Sequence, residues 1–351
     1  MDRNGEILWE LRHVSKYFSG VQALDDVSVQ FRKGEIHALI GENGSGKSTL
    51  IKCLSGVHQP EEGILLHNGK QINITNPIVA RKHGVATIFQ EFSLVPTLSV
   101  AENIFLGRLP AQNNGKGLIS WDIMCKKAKE ILNKLDIEID PNVIVNKLSV
   151  AQQQLVEIAK ALSMDATLLI MDEPTTALGL SEIERLHQLT RKLRDEGYSI
   201  IYISHRLDEL VNLVDFVTVL KDGKVTGECK KEDINVNEIV RIMIGSDIAN
   251  HYPKQCNVQD EVLFRAKGLE TAEGVYDITL DVKRGEVLGL AGLIGSGRTE
   301  IARAIFGADQ LIKGSIEMCG RKVPIEKPAH AIKNGIAFIT ENRKTDGLFM
   351  N

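Results

Sequence analysis

The chain has 351 residues, 43% of them apolar and 25% charged, which is ordinary for a folded protein of about two domains. Its 42 basic and 46 acidic residues give a formal net charge of −4, which argues against bulk nucleic-acid binding. No stretch approaches the roughly 18 apolar residues of a membrane span, and the N-terminus lacks the apolar core of a signal peptide. The five cysteines are scattered and contain no C-x-x-C pair, which argues against a disulfide framework or a zinc site. We therefore expect a chain in the reducing cytoplasm.

Apolar runs and amphipathic stretches alternate through the first part of the chain. The predicted strands are Ile36–Ile40, Val85–Phe89, Leu168–Met171 and Ser199–Ile203. The predicted helices are Lys47–Ser55, Trp121–Leu135, Val150–Leu162 and Ser181–Glu196. This alternation predicts an α/β fold with a largely parallel sheet, in which ligands bind at the carboxyl ends of the strands.

A duplicated segment predicts the domain organisation. GEIHALIGENGSGKSTLIKCLSG, from Gly34, and GEVLGLAGLIGSGRTEIARAIFG, from Gly285, are offset by 251 residues, and later glycines and prolines keep that offset. We therefore predict a first domain over 1–245, a polar linker over 246–261 and a second domain over 262–351. The second copy matches only the first hundred or so residues of the first copy, so we expect it to be incomplete.

Residues 41–48, GENGSGKS, match the P-loop pattern between a predicted strand and a predicted helix. Glycines let successive backbone N–H groups point inward, and the helix N-terminus favours an anion. The pattern predicts that Lys47 contacts the β- and γ-phosphates of a nucleotide and that the Ser48 hydroxyl binds Mg²⁺. The alternative is a glycine turn with an incidental lysine. The predicted nucleotide-binding residues of this segment are Gly41, Glu42, Asn43, Gly44, Ser45, Gly46, Lys47, Ser48 and Thr49.

Two carboxylates, Asp172 and Glu173, follow the apolar run LLIM. We predict that Asp172 holds the Mg²⁺ through water and that Glu173 polarises the attacking water, a role worth about 10²–10⁴ in rate. An acidic loop after a buried strand is the alternative. These features alone are shared by every P-loop NTPase, including small-molecule kinases.

The segment LSVAQ, residues 148–152, separates these possibilities. Ser149 is a predicted N-cap, so the helix that follows presents a second positive N-terminus. The segment resembles the signature motif of ABC ATPases, usually LSGGQ, which binds the γ-phosphate of ATP held by the opposite cassette; an ordinary capped helix is the alternative. The resemblance implies that role for Ser149, Val150, Ala151 and Gln152, with Val150 and Ala151 in place of the two glycines.

Other motifs of the ABC family occur in the expected order. Gln90 matches the Q-loop glutamine, which senses Mg²⁺ and contacts the transport partner, and His205 matches the switch histidine, which contacts the γ-phosphate. Phe18, in VSKYF, matches the aromatic residue that stacks on adenine, and Gly179 stands where the D-loop commonly has Asp or Thr. Core packing is the alternative for Phe18, and a buried, satisfied histidine is the alternative for His205.

Two fused cassettes, the variant signature LSVAQQQ and the opening KYFSGVQALDDVS resemble the ATPases of bacterial sugar importers for ribose, xylose, arabinose and galactosides. The resemblance covers nearly the whole chain but only about two-thirds of the family's usual length, so we expect a C-terminally truncated chain. Arg298 stands at the position of Lys47 and Glu300 at that of Thr49. This degenerate P-loop implies nucleotide binding without hydrolysis. A dinucleotide fingerprint in GLAGLIGSG is the rival interpretation, and the shared register opposes it.

The resemblance implies an ATP hydrolase that uses ATP and Mg²⁺ to energise import of a sugar or sugar-like solute. The implied partners are two transmembrane permease subunits, a periplasmic or extracellular solute-binding protein, and a second cassette or a homodimer partner across the ATP site, with no nucleic acid. The permease would dock in a groove formed by the Gln90 loop and a helical subdomain at about 92–160, at the cytoplasmic face of the inner membrane. The alternatives are a soluble tandem ABC ATPase that acts on ribosomes or DNA, which the non-basic linker disfavours, and a vestigial, non-hydrolysing fragment.

Overall fold

The computed structural model describes residues 5–90, 92–108, 120–176, 178–204, 207–233, 239, 241–242, 257–292 and 295–340. The chain divides into two compact units, Met1–Tyr252 and Pro253–Asn351. None of the helices in the described ranges is long and apolar enough to cross a membrane.

The first unit begins with an antiparallel sheet that the sequence analysis did not predict. Its strands are β1 (Ile7–Phe18), β2 (Val21–Arg32), β4 (Glu62–His67) and β5 (Lys70–Ile72), in the order β2-β1-β4-β5. In β2, Val27, Val29 and Phe31 are buried and alternate with more exposed polar residues, so one face of the sheet is apolar and packs on the core.

The predicted parallel sheet is confirmed, with six strands in the order β10-β9-β3-β8-β7-β6. These strands are β3 (Ile36–Ile40), β6 (Val85–Ile88), β7 (Leu168–Asp172), β8 (Ser199–Ile203), β9 (Phe216–Lys221) and β10 (Lys224–Lys230). The strands from β9 to β6 run parallel, and β10 pairs antiparallel with β9 at the edge. The four predicted strands are the central β3, β8 and β7 and the edge strand β6, and their ends agree to within one residue.

Helices cover both faces of this sheet. They are α1 (Lys47–Leu54), α2 (Pro77–Lys82), α3 (Val100–Ile104), α4 (Trp121–Lys134), α5 (Val150–Leu162), α6 (Leu180–Asp195) and α7 (Leu207–Leu210). One face packs, through Ile36 and Ala38, against α3–α6, whereas the other packs, through Leu39, against α1 and the antiparallel sheet. The four predicted helices agree with α1, α4, α5 and α6 to within one residue at each end.

The second unit repeats the first part of this arrangement. Its strands are β11 (Val262–Thr271), β12 (Ile278–Lys283), β13 (Leu311–Met318) and β14 (Arg321–Val323), and they form an antiparallel sheet in the order β12-β11-β13-β14. Helix α8 (Arg298–Phe306) lies between β12 and β13 in the chain, and α9 (Pro328–Lys333) follows β14. The starts of β14, α8 and α9 lie 251 residues after those of β5, α1 and α2, so the internal repeat extends to the structure.

The counterparts of β3 and β6 in the second unit are not strands. Val287 and Ile339, at the positions of the fully buried Ile36 and Ile88, are 97% and 94% exposed. In the first unit, β3 and β6 pair with β7, β8 and β9, which come from residues 168–221. Residues 257–340 contain no equivalent of that segment, so nothing in the described part of the second unit supplies neighbouring strands.

Candidate nucleotide-binding site

The glycine-rich loop lies between β3 and α1, at the carboxyl end of the parallel strands. Gly46 has φ +102° and precedes α1, and a Cβ there would lie 2.7 Å from the Ala23 carbonyl oxygen. A Cβ on Gly41 would lie 2.2 Å from the Leu220 carbonyl oxygen. Both positions therefore require glycine, because neighbouring backbone leaves no room for a side chain.

A cavity of about 380 Å³ adjoins this loop and brings together side chains that are far apart in the sequence. Lys47 and Ser48 come from the start of α1, Gln90 from the segment after β6, and Asp172 and Glu173 from the end of β7. The other lining residues are Ala23, Asn43, Gly44, Gly46 and Thr49. The cavity thus combines a buried cation, carboxylates, a hydroxyl and an amide at one edge of the sheet.

Lys47 is buried, and its ammonium group lies over the loop. Its Nζ donates to the carbonyl oxygens of Gly41 at 2.7 Å and Glu42 at 2.8 Å. Burial lowers the pKa of Lys47, and the carboxylates of Glu173 and Asp172 act in the opposite direction. The loop carbonyls therefore hold a cation at the place where the P-loop pattern predicts contact with phosphates.

Asp172 and Glu173 place two negative charges beside each other. Burial raises the pKa of Asp172, the charge of Glu173 raises it further, and Lys47 partly opposes both. A cation bound next to Asp172 would therefore stabilise its ionised carboxylate.

The backbone of Glu173 adopts a left-handed conformation, with φ +49°. Its N–H donates to the Ile203 carbonyl oxygen at 3.0 Å, so the end of β8 fixes this conformation. Non-glycine residues with such strained backbones occur preferentially at functional sites. The carboxylate Oε2 accepts hydrogen bonds from Gln90 Nε2 at 2.8 Å and from Thr176 Oγ1 at 3.3 Å. Gln90 and Thr176 therefore orient Glu173.

Phe18 does not line this cavity. It lies at the end of β1, is 38% exposed, and contacts His58 with ring centroids 5.0 Å apart. The Lys16 ammonium lies 5.2 Å from the centre of the Phe18 ring. Phe18 is therefore not a core residue, and its role in adenine stacking stays a prediction.

The signature residues also lie outside this cavity, at the start of α5. Ser149 Oγ accepts from the Gln152 N–H at 3.2 Å, and Gln152 Oε1 accepts from the Ser149 N–H at 3.0 Å, which together form a capping box. The predicted N-cap is therefore confirmed. The side chain of Val150 is exposed, and Ala151 is half-buried.

Two of the predicted motifs fall wholly or partly outside the described residues. His205 lies outside them, as does Ala177 of the D-loop segment. Gly179 is described: it precedes α6, and its N–H donates to Glu182 Oε2 at 2.9 Å.

The described residues of the second glycine-rich segment, 292 and 295–297, share features with the first loop. Gly297, with φ +90°, precedes α8 as Gly46 precedes α1. A Cβ on Gly292 would lie 2.3 Å from Ser296 Oγ, as one on Gly41 would lie 2.4 Å from Ser45 Oγ. The helix start is therefore similar where Arg298 replaces Lys47, although a Cβ on Gly297 would meet nothing within 4 Å, unlike one on Gly46.

Sequence reasoning missed two residues of the first site. Ala23, in β2, lines the cavity, and Thr176 donates to the Glu173 carboxylate. For Thr176 the signal was available, because a hydroxyl three residues after a candidate catalytic carboxylate is within reach of it in a turn. For Ala23 no side-chain chemistry marks the position, since its backbone forms the contact with Gly46.

Comparisons with known proteins agree with this geometry. A family model described as "ABC transporter" matches residues 24–176 and 275–350. The chain is 47% identical over 338 residues to the "Ribose import ATP-binding protein RbsA 3" of Rubrobacter xylanophilus, covering 96% of this chain and 68% of that protein. It is 47% identical over 344 residues to the "Putative ribose/galactose/methyl galactoside import ATP-binding protein 1" of Agrobacterium fabrum, covering 97% and 67%.

Solved structures give the same result for the fold. A nucleotide-free ATP-binding cassette from an ABC transporter superposes with a TM-score of 0.61 at 26% identity, over 71% of this chain and all of that chain. The ADP conformation of the cassette MJ1267 gives a TM-score of 0.61 at 27% identity, over 68% and 99%. On the family match, these relatives and the loop geometry, the chain belongs to the ABC transporter family and contains its ATP-binding cassette.

Proposed function

We propose that this chain hydrolyses ATP to energise the import of a sugar or sugar-like solute. The observation that carries the proposal is the single cavity in which Lys47, Gln90 and Glu173 meet at the ends of three different elements. The names of the relatives, which are 47% identical and described as import ATP-binding proteins for ribose or galactosides, supply the substrate class.

Nucleotide binding follows from the loop and the start of α1. The backbone N–H groups of residues 41–46 and the helix N-terminus provide positive potential for the phosphates. In this proposal, Lys47 exchanges its bonds to the carbonyl oxygens of Gly41 and Glu42 for the β- and γ-phosphate oxygens. Phe18 stacks on the adenine.

The donor set of the cavity fits Mg²⁺. Mg²⁺ prefers oxygen ligands, and the repulsion that raises the pKa of Asp172 is relieved by a cation. Ser48, Gln90 and Asp172 would hold the ion, with Asp172 acting through water. When bound, Mg²⁺ supplies neutralisation of the phosphate charge that develops during transfer.

Hydrolysis depends on Glu173, whose carboxylate is oriented by Gln90 and Thr176. Glu173 holds and polarises the attacking water, and its fixed backbone keeps the carboxylate at the edge of the sheet. His205 contacts the γ-phosphate. Binding and positioning by these groups account for the reaction without a covalent enzyme intermediate.

The signature residues act on a different ATP from the one held by Lys47. Ser149, Val150, Ala151 and Gln152 lie outside the cavity that Lys47 lines, so they cover ATP in another cassette. That ATP is held either by the Arg298 site or by the Lys47 site of a second copy. At Arg298 the planar guanidinium keeps the charge but not the compact ammonium, so this site binds nucleotide without hydrolysis.

The permease subunits dock beside the Gln90 segment in this proposal. A groove of about 330 Å³ is lined mainly by apolar side chains, including Val57, Ile78 and Phe89, and Phe89 directly precedes Gln90. None of its lining residues comes from the helical subdomain at about 92–160, which the sequence analysis assigned to the other wall of the docking groove. Ile78 is 58% exposed although it is apolar. Such a surface suits a helix of a membrane subunit. In this proposal the chain lies at the cytoplasmic face of the bacterial inner membrane, with a solute-binding protein on the other side.

Turnover at several protein concentrations tests the ATPase. We expect the rate of ATP hydrolysis to rise with the square of the concentration of the 351-residue chain, because Ser149 of one copy completes the Lys47 site of another. Glu173→Gln should lower turnover about 10²–10⁴-fold and retain ATP binding. Glu184→Gln, on the exposed side of α6, is the matched control and should keep full turnover.

Two results would contradict this proposal. Undiminished turnover in Glu173→Gln would remove the assigned role of that carboxylate. Tight ATP binding without turnover at any concentration would exclude an active site built from two copies of this chain.

The substrate class is tested with the permease in vesicles. There, the sugar-loaded binding protein should increase ATP turnover, and Glu173→Gln should abolish sugar uptake.

A further inference from the structure

A polar cluster of three residues joins the segment after Gln90 to α5. Ser93 contributes its backbone and its hydroxyl, and α5 contributes the side chains of Glu157 and Lys160. We call these three residues the Ser93 clamp. None of them lines the nucleotide cavity.

Four hydrogen bonds hold the Ser93 clamp together. The Ser93 N–H donates to Glu157 Oε1 at 2.5 Å, and its hydroxyl donates to Glu157 Oε2 at 3.1 Å. Lys160 Nζ donates to the Ser93 carbonyl oxygen at 3.0 Å and to its hydroxyl oxygen at 2.8 Å. The backbone and the side chain of Ser93 are therefore both fixed to the helix.

The two charges of the clamp are buried, although Ser93 itself is exposed. Glu157 is 3% exposed and Lys160 is 9% exposed, and they lie three residues apart on one face of α5. Burial lowers the pKa of Lys160, and the charge of Glu157 acts in the opposite direction. Replacing a buried charge pair by apolar residues of similar size is often neutral or stabilising, because each charge loses its hydration on burial. Stability alone therefore does not account for this arrangement.

The clamp limits the positions that Gln90 can take, because the chain is fixed on both sides of it. Gln90 lies two residues after the fully buried Ile88 of β6 and three residues before Ser93. Beyond Ser93, the buried Asn103 accepts from the Val95 N–H at 2.7 Å and donates to the Val95 carbonyl oxygen at 3.1 Å. Three residues span at most about 10 Å, so the position of Ser93 restricts where Gln90 can lie.

We infer that the Ser93 clamp positions Gln90, and through it the Glu173 carboxylate, for ATP hydrolysis. Gln90 Nε2 donates to Glu173 Oε2 at 2.8 Å, so a displaced Gln90 no longer orients that carboxylate. Glu157 and Lys160 are positioning residues, since neither lines the cavity. The inference rests on the proposed role of Glu173 in hydrolysis.

A variant without the two charges separates positioning from stability. Glu157→Leu combined with Lys160→Met keeps the approximate side-chain volumes and removes all four hydrogen bonds. We expect the melting temperature of the nucleotide-free chain to stay the same or rise. Turnover at saturating MgATP should fall about tenfold with the KM for ATP unchanged, because the P-loop is not altered. A lower melting temperature with wild-type turnover would show that the clamp only stabilises the fold.

Turnover in a Gln90→Ala background shows whether the clamp acts through Gln90. Residues that act as one unit have non-additive effects, so the two clamp substitutions should then lower turnover by less than about twofold further. A further loss of about tenfold in that background would overturn the inference, whatever the melting temperature.

Ser93 and Arg108 provide a milder variant and a matched control. Ser93→Ala should lower turnover about threefold, and Ser93→Thr, which keeps the hydroxyl, should restore it. At the end of α5, Arg108 Nη1 donates to the Ser163 carbonyl oxygen at 2.6 Å, and Arg108→Gln should leave turnover unchanged. Equal losses in Ser93→Ala and Arg108→Gln would count against the clamp. Turnover that depends on Glu173 but not on the clamp contradicts this inference alone, whereas turnover independent of Glu173 contradicts the proposed function.

Discussion

Burial and a neighbouring like charge act together on Asp172 in the candidate nucleotide cavity. Its burial and the charge of Glu173 raise its pKa, so the ionised carboxylate destabilises the folded chain. Pairs of this kind are typical of sites that recruit a cation, and their cost is removed when the ion binds. The two carboxylates therefore lower the stability of the free chain and raise its affinity for a cation.

Replacing this carboxylate should therefore stabilise the free chain. We predict that Asp172→Asn raises the melting temperature at pH 7.5 without nucleotide. A raised pKa contributes stability that is complete below the unfolded-state value of about 3.9 and is lost as the pH rises through the folded-state value. The increase in melting temperature caused by Asp172→Asn should accordingly become smaller as the pH is lowered.

Thermal unfolding between about pH 4, near the unfolded-state pKa, and pH 7.5 measures this effect. Asp195→Asn is the control, because Asp195 is exposed and paired with Arg194 at 2.8 Å, so its loss should bring no stabilisation. An Asp172→Asn chain that melts at or below the wild-type temperature at pH 7.5 would refute the prediction.

At the scale of elements, two helices of the first unit begin with the same capping arrangement. Ser99 and Glu102 form a capping box at α3, as Ser149 and Gln152 do at α5. We predict that Ser99→Ala and Ser149→Ala each lower the free energy of unfolding by about 1 kcal/mol. Only Ser149→Ala should also lower ATP turnover, because only the start of α5 is proposed to cover a γ-phosphate.

Urea unfolding and ATP turnover of both variants check this pair. Since the two substitutions remove the same chemical group from the same kind of cap, stability loss alone cannot explain a difference in turnover. Similar turnover in the two variants would remove Ser149 from the proposed ATP site.

The end of β4 carries a pH-sensitive aromatic cluster. His67 stacks on Trp9 with ring centroids 4.6 Å apart, and His83 lies edge-on at 5.4 Å from His67. Burial lowers the pKa of His67, and the charges of His83 and Lys33 lower it further. A lowered histidine pKa contributes stability that is present above about pH 6.5 and is lost as the pH falls through the folded-state value.

We therefore predict that the free energy of unfolding falls between pH 7.5 and 5, and that His67→Phe flattens this decline while it keeps the ring stack. Urea unfolding of the wild-type and His67→Phe chains at each pH measures the free energy of unfolding. His13→Gln is the control, because His13 is exposed and pairs with Asp26 at 2.7 Å. An unchanged pH profile in His67→Phe would show that other groups cause the decline.

The elements differ in how well the sequence predicts them. Strands such as β3 and β7 are buried on both faces and appear as continuous apolar runs, so their positions are evident. In β1, bulges interrupt the alternation of buried and exposed residues, and the strand is not recognisable by its period.

Contacts between distant segments are also invisible in the sequence. The Gln90–Glu173 hydrogen bond joins residues 83 positions apart. The motifs predict which residue types form the site, whereas the left-handed backbone of Glu173 depends on its bond to β8.

At the scale of the whole molecule, the two units have separate cores of different size. Among the described residues, the core of the second unit has six buried apolar side chains, whereas two large clusters fill the first. The six are Ala266, Leu269, Val275, Ile316, Ile325 and Ala331. Small cores bury a smaller fraction of their surface, so we expect the second unit to be the less stable one.

Calorimetry should accordingly show two transitions, the smaller one at lower temperature. In Glu173→Gln, MgATP at 100 times its dissociation constant should stabilise the larger transition by about 2.7 kcal/mol. Lys47→Ala should abolish this shift, and Arg298→Ala, at the equivalent position of the repeat, should leave the larger transition unaffected. A single transition that shifts as a whole with nucleotide would contradict the independence of the units.

The exposed positions of Val287 and Ile339 have a consequence for solutions of this 351-residue chain. Residues 287–291, VLGLA, are all exposed, and contiguous apolar surface of this kind promotes contact between copies of a protein. Such contact needs no unfolding of the first unit. Raising the stability of the ATP-binding cassette would therefore leave the solubility of the chain unchanged.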